Sequence, residues 1–463
     1  MRTERVSEKD PLTLVGAGLV GSLLAAFLAR RGFHSRLYER RPDMRKEPPD
    51  SAATAGRSIN LAVSARGLYA LRQLGLEQKV LDRAIPMKGR MMHAVDGTLS
   101  FQRYGRDDSE CIHSVSRSEL NQLLLSNAEA TGKVEIIFER RAVGADLERA
   151  QVVFENTRSG EKQSVSSPAV IGTDGSASAI RAELLKLVHL ECRQEYLSHG
   201  YKELVVPPGP GGSFLLEKNA LHIWPRGTHM LIALPNLDGS FTCTLFLPME
   251  GTLSFASLQS PGELKALFEE QFGDALPLIA DLEKTFFGNP TGHMVTVKCE
   301  PWHYRDRALL LGDAAHAIVP FFGQGMNCGF EDCTVLDGLL AKGATLEEAF
   351  PALTAARKSN ADAIADMAVE NFVEMSDKVA DPRFLLEKSV ERVLQEKFPG
   401  EYVSRYALVT FTCEPYRLAY EMGTIQAGIL KELCAGLGSA EQLDLARAEK
   451  LIRSRLSPLM KKK

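Results

Sequence analysis

Gly16-Ala17-Gly18-Leu19-Val20-Gly21 is the stretch on which the fold of this 463-residue chain turns. It follows the apolar run Leu12 to Val15, which reads as a short buried strand, and precedes Ser22 to Arg30, which reads as a helix. Its glycines therefore occupy a strand-to-helix turn. There the first glycine permits the tight bend, the second lets the backbone approach a pyrophosphate, and the third allows helix and strand to pack closely, with the helix N-terminus facing the anion. A second strand, Ser35 to Tyr38, ends at Glu39, 21 residues beyond Gly18. A carboxylate there can accept hydrogen bonds from both hydroxyls of a ribose. Strand, turn, helix, strand and acid in register predict a dinucleotide-binding βαβ unit.

The same segment has a rival reading. Leu12 to Ala29 is 18 residues without a charge, long enough for a membrane span or the core of an export signal. The glycines argue against it, as do Glu4, Glu8 and Asp10, because a secretory leader opens on basic residues and this one mixes signs. Composition agrees: 44% hydrophobic and 25% charged residues suit a soluble globular protein, and 463 residues call for two or three domains. A net charge of −4 gives no attraction for nucleic acid or an anionic membrane. The eight cysteines are scattered, Cys328 and Cys333 being the closest pair, with no CxxC. That predicts free thiols in the reducing cytoplasm, without disulfides and without a metal site. The basic end Lys461-Lys462-Lys463 follows no long apolar segment, so no membrane anchor is expected there.

Outward from the first motif, Glu47 to Gly56 is rich in Pro, Ala and Ser and reads as a loop. A helix is expected from Ala65 to Leu74, closed by Gly75, and another from Arg117 to Ala130 behind the cap Ser116. Strands are expected at Val134 to Phe138, Gln151 to Phe154 and Ala169 to Gly172, the last ending in Thr173-Asp174-Gly175-Ser176, with Arg181 on the helix that follows. From Tyr201 to Leu247 the pattern changes: Leu221 to Trp224, Met230 to Leu234 and Phe241 to Leu247 are separated by Pro, Gly and Asn turns, as in an antiparallel sheet. Beyond Leu346 helical periodicity dominates, interrupted near Pro382 and Pro399. The fold class is α/β: a Rossmann-like nucleotide-binding core with an inserted antiparallel sheet and a C-terminal helical region. The core is assigned to 1–190 and 300–375, the sheet domain to 191–299 with roughly 85–112, and the helical domain to 376–463.

A second informative stretch begins at the strand Ala308 to Leu311 and runs into Gly312-Asp313-Ala314-Ala315-His316. Gly312 allows a sharp turn, and Asp313 can accept a hydrogen bond from a ribityl or ribose hydroxyl. Pro320-Phe321-Phe322-Gly323-Gln324-Gly325-Met326-Asn327 then supplies a glycine-rich helix start whose N–H groups can face a phosphate or an electron-rich ring oxygen.

Gly16 to Gly21 with Glu39, Gly172-Thr173-Asp174-Gly175, and Gly312-Asp313, in that order, resemble the three motifs of the single-component flavoprotein aromatic hydroxylases, whose fold is that of 4-hydroxybenzoate hydroxylase. The resemblance covers most of the chain. It implies non-covalent FAD and no second Rossmann domain, so that the nicotinamide binds transiently. Gly56 to Ala62, Lys88-Gly89-Arg90-Met91, Tyr104-Gly105-Arg106, His199 to Leu204, Glu370 to Met375 and Arg405-Tyr406 with Val409-Thr410-Phe411 are similar to a narrower branch, the kynurenine 3-monooxygenases. That likeness implies hydroxylation of L-kynurenine at ring position 3 with NADPH and O2, through a flavin C4a-hydroperoxide, in tryptophan degradation. It implies that Arg90, Tyr104, Asn371 and Tyr406 hold the amino-acid end of the substrate, with Met375 nearby. The implied cofactor set is Gly16, Gly18, Leu19, Gly21, Glu39, Arg40, Arg57, Arg117, Asp174, Asp313, Gly323, Gln324, Gly325, Met326 and Asn327. Animal and fungal members carry a C-terminal membrane segment; here a soluble bacterial form is expected, and a homodimer is compatible with it.

The residues make chemical sense of that assignment. Kynurenine has a zwitterionic head and a flat aryl ketone, so its site needs a carboxylate clamp at one end and a dry slot at the other. Arg90 offers a planar fork matched to a carboxylate, and Tyr104 and Tyr406 add donors. Leu221, Met230, Ile232, Leu234, Phe246, Pro320 and Phe322 are expected to form the slot. The substrate's amino group activates the ring, so no catalytic side chain is required, and His316 is assigned a structural part. Two rivals stand: an FAD monooxygenase for another amino-aromatic or phenolic substrate, and a flavin-binding protein that works through partner contacts.

Overall fold

The computed structural model describes residues 10–46, 60–188, 191–376 and 381–460. The loop expected from Glu47 to Gly56, and Arg57 beyond it, lie outside the described residues. The chain divides into two compact units, one of Met1–Ile85, His113–Leu197 and Gly292–Ala365, the other of Pro86–Ile112, Ser198–Thr291 and Asp366–Lys463.

The first unit is built on a six-stranded sheet in the order His303–Tyr304, Ala308–Leu310, Val170–Gly172, Leu12–Val15, Ser35–Tyr38, Val134–Ile137. All neighbours are parallel except the edge strand His303–Tyr304. Parallel strands are covered on both faces and read as continuous apolar runs, and Leu14, Leu37, Ile171 and Leu309 are fully buried. Register does the functional work. Val15 lies opposite both Tyr38 and Gly172, and Gly172 lies opposite Leu310. The turns that follow these strands therefore emerge side by side at the carboxyl edge, where open α/β sheets bind their ligands.

The first helix, Leu19–Arg30, starts three residues before the expected Ser22, because Gly18 already serves as its N-cap. Leu23 to Ala29 are all buried, so the uncharged run Leu12 to Ala29 is a core strand, turn and helix. No helix among the described residues is long and apolar enough to cross a membrane. Ser116 caps Arg117–Ala130 by accepting from the Glu119 N–H, as its position in the sequence predicts. One antiparallel sheet escapes the sequence reading: Arg140–Asp146, Gln151–Asn156 and Lys162–Ser166 pair with one another, yet only the middle strand was expected. Its neighbours carry Arg140, Arg141, Lys162 and Gln163, the first strand half-exposed and the last largely open to solvent, so no apolar alternation marks them.

In the second unit the strand order is Glu191–Val206, Phe241–Pro248, His229–Pro235, Ala220–Arg226, Gly89–His93, Leu99–Arg103, the first of these entering from the first unit. Side chains alternate between the two faces. On one face Leu204, Trp224, Leu231, Cys243 and Leu245 pack with Leu264 and Phe268 of helix Pro261–Gln271 and with Phe286 of helix Leu282–Gly288. Reading this region as hairpins alone misses both helices. The capping box of Ser260 and Glu263, with Pro261 behind the cap, was the available signal for the first. The C-terminal helices Pro382–Lys397, Arg405–Phe411, Tyr416–Leu433 and Leu445–Arg455 follow the long helix Leu346–Ser376. They hold a core of their own that includes Val390, Leu394, Tyr402, Ile429, Ala448 and Ile452.

A buried charge cluster fixes the turn after Ala308–Leu310. The Asp332 carboxylate, from helix Gly325–Ala341, accepts from the Gly312 N–H at 3.2 Å, from His316 Nε2 at 2.5 Å and from Arg357 Nε at 2.8 Å. Burial disfavours every charge here, but mutual attraction outweighs it: His316 is held well above the ordinary imidazole range and Asp332 below the ordinary carboxylate range. The Asp332 contribution is therefore present above the ordinary carboxylate range and is lost as pH falls through its lowered pKa; that of His316 is present below the ordinary imidazole value and is lost as pH rises through its raised pKa. Asp332→Ala strands the buried His316 cation and leaves Arg357 to Glu331 alone, and is expected to lower stability by about 3–5 kcal/mol, read as an earlier urea midpoint at neutral pH. The gap from the native chain should narrow in acid; a midpoint that does not move would show that the cluster carries little of the fold.

Candidate functional site

At the carboxyl edge of the first unit, the glycines of 16–21 meet the demand of their turn in different ways. Gly16 has φ +103°, and a Cβ there would stand 2.6 Å from Thr173 O. A Cβ on Gly21 would stand 2.0 Å from Gly16 O. Gly18 is the opposite case: nothing lies within 4 Å of where its Cβ would be, so its backbone is open to an approaching group. It heads a helix with no side-chain cap and no acid in its first turn, which leaves the helix N–H groups and the positive end of the helix dipole for an anion.

Glu39 stands beside this turn, buried, accepting from the Ala17 N–H at 3.0 Å and from Arg41 through its N–H at 3.0 Å and its Nε at 2.8 Å. Burial raises its pKa, but the hydrogen bonds and charge of Arg41 outweigh that and keep it a carboxylate. Arg40, expected in the cofactor set, is exposed, and Arg41 grips Glu39. In the neighbouring turn the Thr173 hydroxyl reaches Val15 O at 3.0 Å and Gly16 O at 2.8 Å. Asp174 accepts from the Ala179 N–H at 2.7 Å and from the Ser178 hydroxyl at 2.5 Å, so its carboxylate caps the helix Ala179–Leu187. Burial pushes that carboxyl upward.

Gly312, at φ +57°, turns the third motif, and Arg181 braces it by donating to Ala314 O at 2.8 Å. Asp313 is solvent-accessible yet closely surrounded by protein, as a group in a cleft is; crowding raises its pKa and the positive charge of Arg117 opposes the rise. Beyond the single turn Pro320–Phe322, Gly323 takes φ +66° and helix Gly325–Ala341 begins. The buried Asn327 amide donates to Ala62 O and Gly323 O, both at 2.9 Å, and accepts from the Ser64 N–H at 3.0 Å. Gln324 meets the Ser64 hydroxyl at 3.3 Å. These two side chains lock the loop. Together an uncapped helix start, a glycine with an open face, a buried carboxylate and the Asp313 cleft match the pyrophosphate and hydroxyl groups of FAD. Pro320 and Phe322 belong to this unit, Phe322 buried and Pro320 exposed.

The clamp residues expected from the sequence lie in the second unit. The Arg90 guanidinium sits 5.6 Å from the centre of the Tyr104 ring and 5.2 Å from that of Tyr406, and the two rings stack at 5.1 Å. Burial acts against the Arg90 charge, but Tyr104, Tyr406 and Glu374 offset it, and the guanidinium stays charged. Burial pushes both phenols above their ordinary range, so they stay neutral donors. Arg90 Nε is buried with no hydrogen-bond acceptor. A buried, unpaired charged donor is costly unless a ligand satisfies it. Asn371 and Met375, one helical turn apart, are both buried.

Arg90 lies opposite Leu221 in the sheet, Leu234 is the next residue across, and Ile232, Met230 and Phe246 follow on the same face by the period of two. Met230, Leu234 and Phe246 are buried, while Leu221 and Ile232 are half-buried. This face is opposite to the one that packs on the helices, so five residues expected to line a slot share one apolar surface that begins at Arg90. Glu374 stands within the quoted run Glu370 to Met375, but nothing local reveals its ion pair with Lys388 on another helix.

Comparison with known proteins gives the family. A model of the FAD binding domain matches residues 10–371. The chain is 60% identical to kynurenine 3-monooxygenase of Myxococcus xanthus (strain DK1622), over 98% of this chain and 97% of that one. It is 47% identical to kynurenine 3-monooxygenase of Xanthomonas oryzae pv. oryzae (strain MAFF 311018), over 97% of each. Among solved structures it resembles 2-methyl-3-hydroxypyridine-5-carboxylic acid oxygenase, with a TM-score of 0.64 at 20% identity, over 82% of this chain and 96% of that one, a likeness of fold alone. By the extent of these matches, the chain belongs to the kynurenine 3-monooxygenase family of FAD-binding enzymes.

Proposed function

We infer that this chain is an FAD monooxygenase that converts L-kynurenine to 3-hydroxy-L-kynurenine, with NADPH as reductant and O2 as oxidant. The observation that carries the reading is a half-buried arginine whose Nε is buried without an acceptor, set between two neutral tyrosines at one end of an apolar sheet face, in a chain 60% identical to a curated kynurenine 3-monooxygenase. A cytoplasmic setting, in which the eight thiols stay reduced, suits this chemistry.

In this reading Arg90 takes the substrate carboxylate bidentately, and Tyr104, Tyr406 and Asn371 donate to the amino-acid head. Leu221, Met230, Ile232, Leu234 and Phe246 receive the ring, with Met375 assigned to the same slot. Gly16, Gly18, Leu19 and Gly21 face the FAD pyrophosphate, Glu39 the ribose and Asp313 the ribityl chain, with Arg40, Arg57, Arg117 and Asp174 nearby in the set. The backbone of Gly323 to Asn327 faces the flavin. The chemistry that FAD supplies when bound is reduction by the nicotinamide, activation of O2 and delivery of one oxygen atom to the ring. The aryl amine activates its own ortho carbon, so the protein need not ionise a phenol and no side-chain base is assigned. Its task is placement and the exclusion of water from the reacting atoms. Mass analysis of products after incubation with L-kynurenine, NADPH and O2 tests the assignment; equal turnover of a phenol that lacks the amino-acid head would favour the broader hydroxylase reading.

Glu39→Lys puts an ammonium where hydroxyl acceptors are needed, and the purified variant should show a weaker flavin absorbance than the native chain at equal protein. No flavin in the native chain, even after excess FAD is added, would sink the cofactor assignment. Arg90→Ala removes a charge-assisted contact of about 2–4 kcal/mol and should raise KM for L-kynurenine about 30- to 1000-fold, with FAD content unchanged. Tyr406→Phe deletes one neutral donor and should do less, while Arg90→Lys, which keeps charge but loses the fork, should rescue only in part. An unchanged KM in folded Arg90→Ala would move the carboxylate site elsewhere.

A further inference from the structure

His93, His222 and Trp224 lie on the sheet face that packs on the helices, opposite to the face that carries Arg90. His93, at the end of strand Gly89–His93, places Nδ1 2.7 Å from Asp274 Oδ2 and Nε2 2.9 Å from His222 Nδ1. His222 Nε2 in turn lies 2.9 Å from the Glu217 carbonyl oxygen. Both rings are buried, while the Asp274 side chain is 31% exposed and opens this line of contacts to solvent. Asp274 also accepts from Trp224 Nε1, at 2.9 Å to each carboxylate oxygen.

The line ends in an acceptor on both sides. The Glu217 carbonyl can only accept, so His222 Nε2 must carry a proton; the Asp274 carboxylate can only accept, so His93 Nδ1 must carry one too. The nitrogen-to-nitrogen contact between the rings needs a third, yet two neutral imidazoles bring only two. Three contacts this short are all hydrogen bonds only if the line holds one proton more. Burial holds His222 down at about 4, so the surplus does not rest there. Burial also lowers His93, against the pull of Asp274 and with the help of Arg226, so the proton is shared with the carboxylate rather than lodged on the ring alone. Arg226 and Glu217 are the other charged groups that act on the two rings, and Arg226 is turned to the carbonyls of His93 and Gln271. Trp224, stacked on His93 at 3.9 Å, favours a positive charge over its face.

We propose that Asp274, His93 and His222 form a proton-held lock: in the folded protein at neutral pH the line carries one proton beyond two neutral imidazoles, between Asp274 and His93, and its loss opens one of the three contacts. The lock joins the segment after helix Pro261–Gln271, the turn before strand Ala220–Arg226 and the strand whose other face presents Arg90. The unfolded chain gives up the proton at the ordinary imidazole value and the folded line only above it. The stabilisation is therefore complete below the ordinary imidazole value and is lost as pH rises through the lock's own pKa. None of this depends on the identity of the substrate.

The test uses FAD-loaded protein labelled at the histidine ring nitrogens. At neutral pH, NMR should show three ring N–H protons from His93 and His222, assigned by their loss in His93→Gln or His222→Gln; two would overturn the proposal. Asp274→Asn is the second arm. Its amide can donate to His93 Nδ1 while its oxygen still accepts from Trp224, so the line closes on two neutral rings with no surplus. The variant should show two ring N–H protons. Its urea midpoint should hold where the native midpoint falls with rising pH, a fall of up to about tenfold in the folding constant per pH unit, the slope of one proton. Midpoints that run parallel in the two proteins at every pH, as a contact needed only for packing predicts, overturn the lock.

Discussion

The first unit depends on one close approach of backbone to backbone, where the strand ending at Val15 meets the strand ending at Gly172. Gly16 and Gly21 have no room for a Cβ, and the Thr173 hydroxyl reaches the carbonyls of both Val15 and Gly16. A Cβ on Gly21 would also fall 2.6 Å from that hydroxyl, so strand, turn and helix converge on a single oxygen. This constraint points the uncapped start of Leu19–Arg30 outward at the sheet's carboxyl edge. Close packing behind the turn is what leaves the Gly18 face open in front of it.

Charge is handled by a common rule in the first unit: a buried acid has a named cation. Asp332 has His316 and Arg357, Asp337 has Arg30 and Arg31, Asp43 has Arg45 and Glu39 has Arg41. Such pairs add little net stability over apolar packing, but breaking one is costly, so they fix geometry more than they add strength. Arg90 departs from the rule. The two stacked phenols beside it stabilise a cation weakly, and although the charge of Glu374 acts on it, it forms no ion pair among the described residues and stays receptive to an anion. A site that must bind and release a zwitterion gains from such a charge, since a permanent partner would compete with the ligand.

The sheet of the second unit separates support from recognition by its pleat. Odd and even positions of the same strands serve different ends: Trp224, Leu231 and Cys243 anchor the sheet to its helices, while Leu221, Met230, Ile232 and Phe246 form the opposite apolar face. A slip of one residue in register would exchange the two sets, which is why both faces being apolar still specifies one arrangement only through the helices on one side.

The sequence alone determined whatever depends on neighbours along the chain. The strand before Gly16, the turn, the helix after it, the cap at Ser116 and the acid at Glu39 are local, because a tight turn needs glycine, a helix start needs an acceptor and a parallel strand needs an unbroken apolar run. The order of the three motifs, and the family likeness carried by Arg90, Tyr104, Asn371 and Tyr406, were legible for the same reason. The half-exposed strands Arg140–Asp146 and Lys162–Ser166 were not, because pairing partners rather than composition make them strands. Nor could sequence reveal that Arg41 grips Glu39, that Asp332 gathers Gly312, His316 and Arg357, or that Lys388 pairs with Glu374. Those are pairings of charges between separate elements, and a charge finds its partner only when packing has brought both out of water and within a few ångströms.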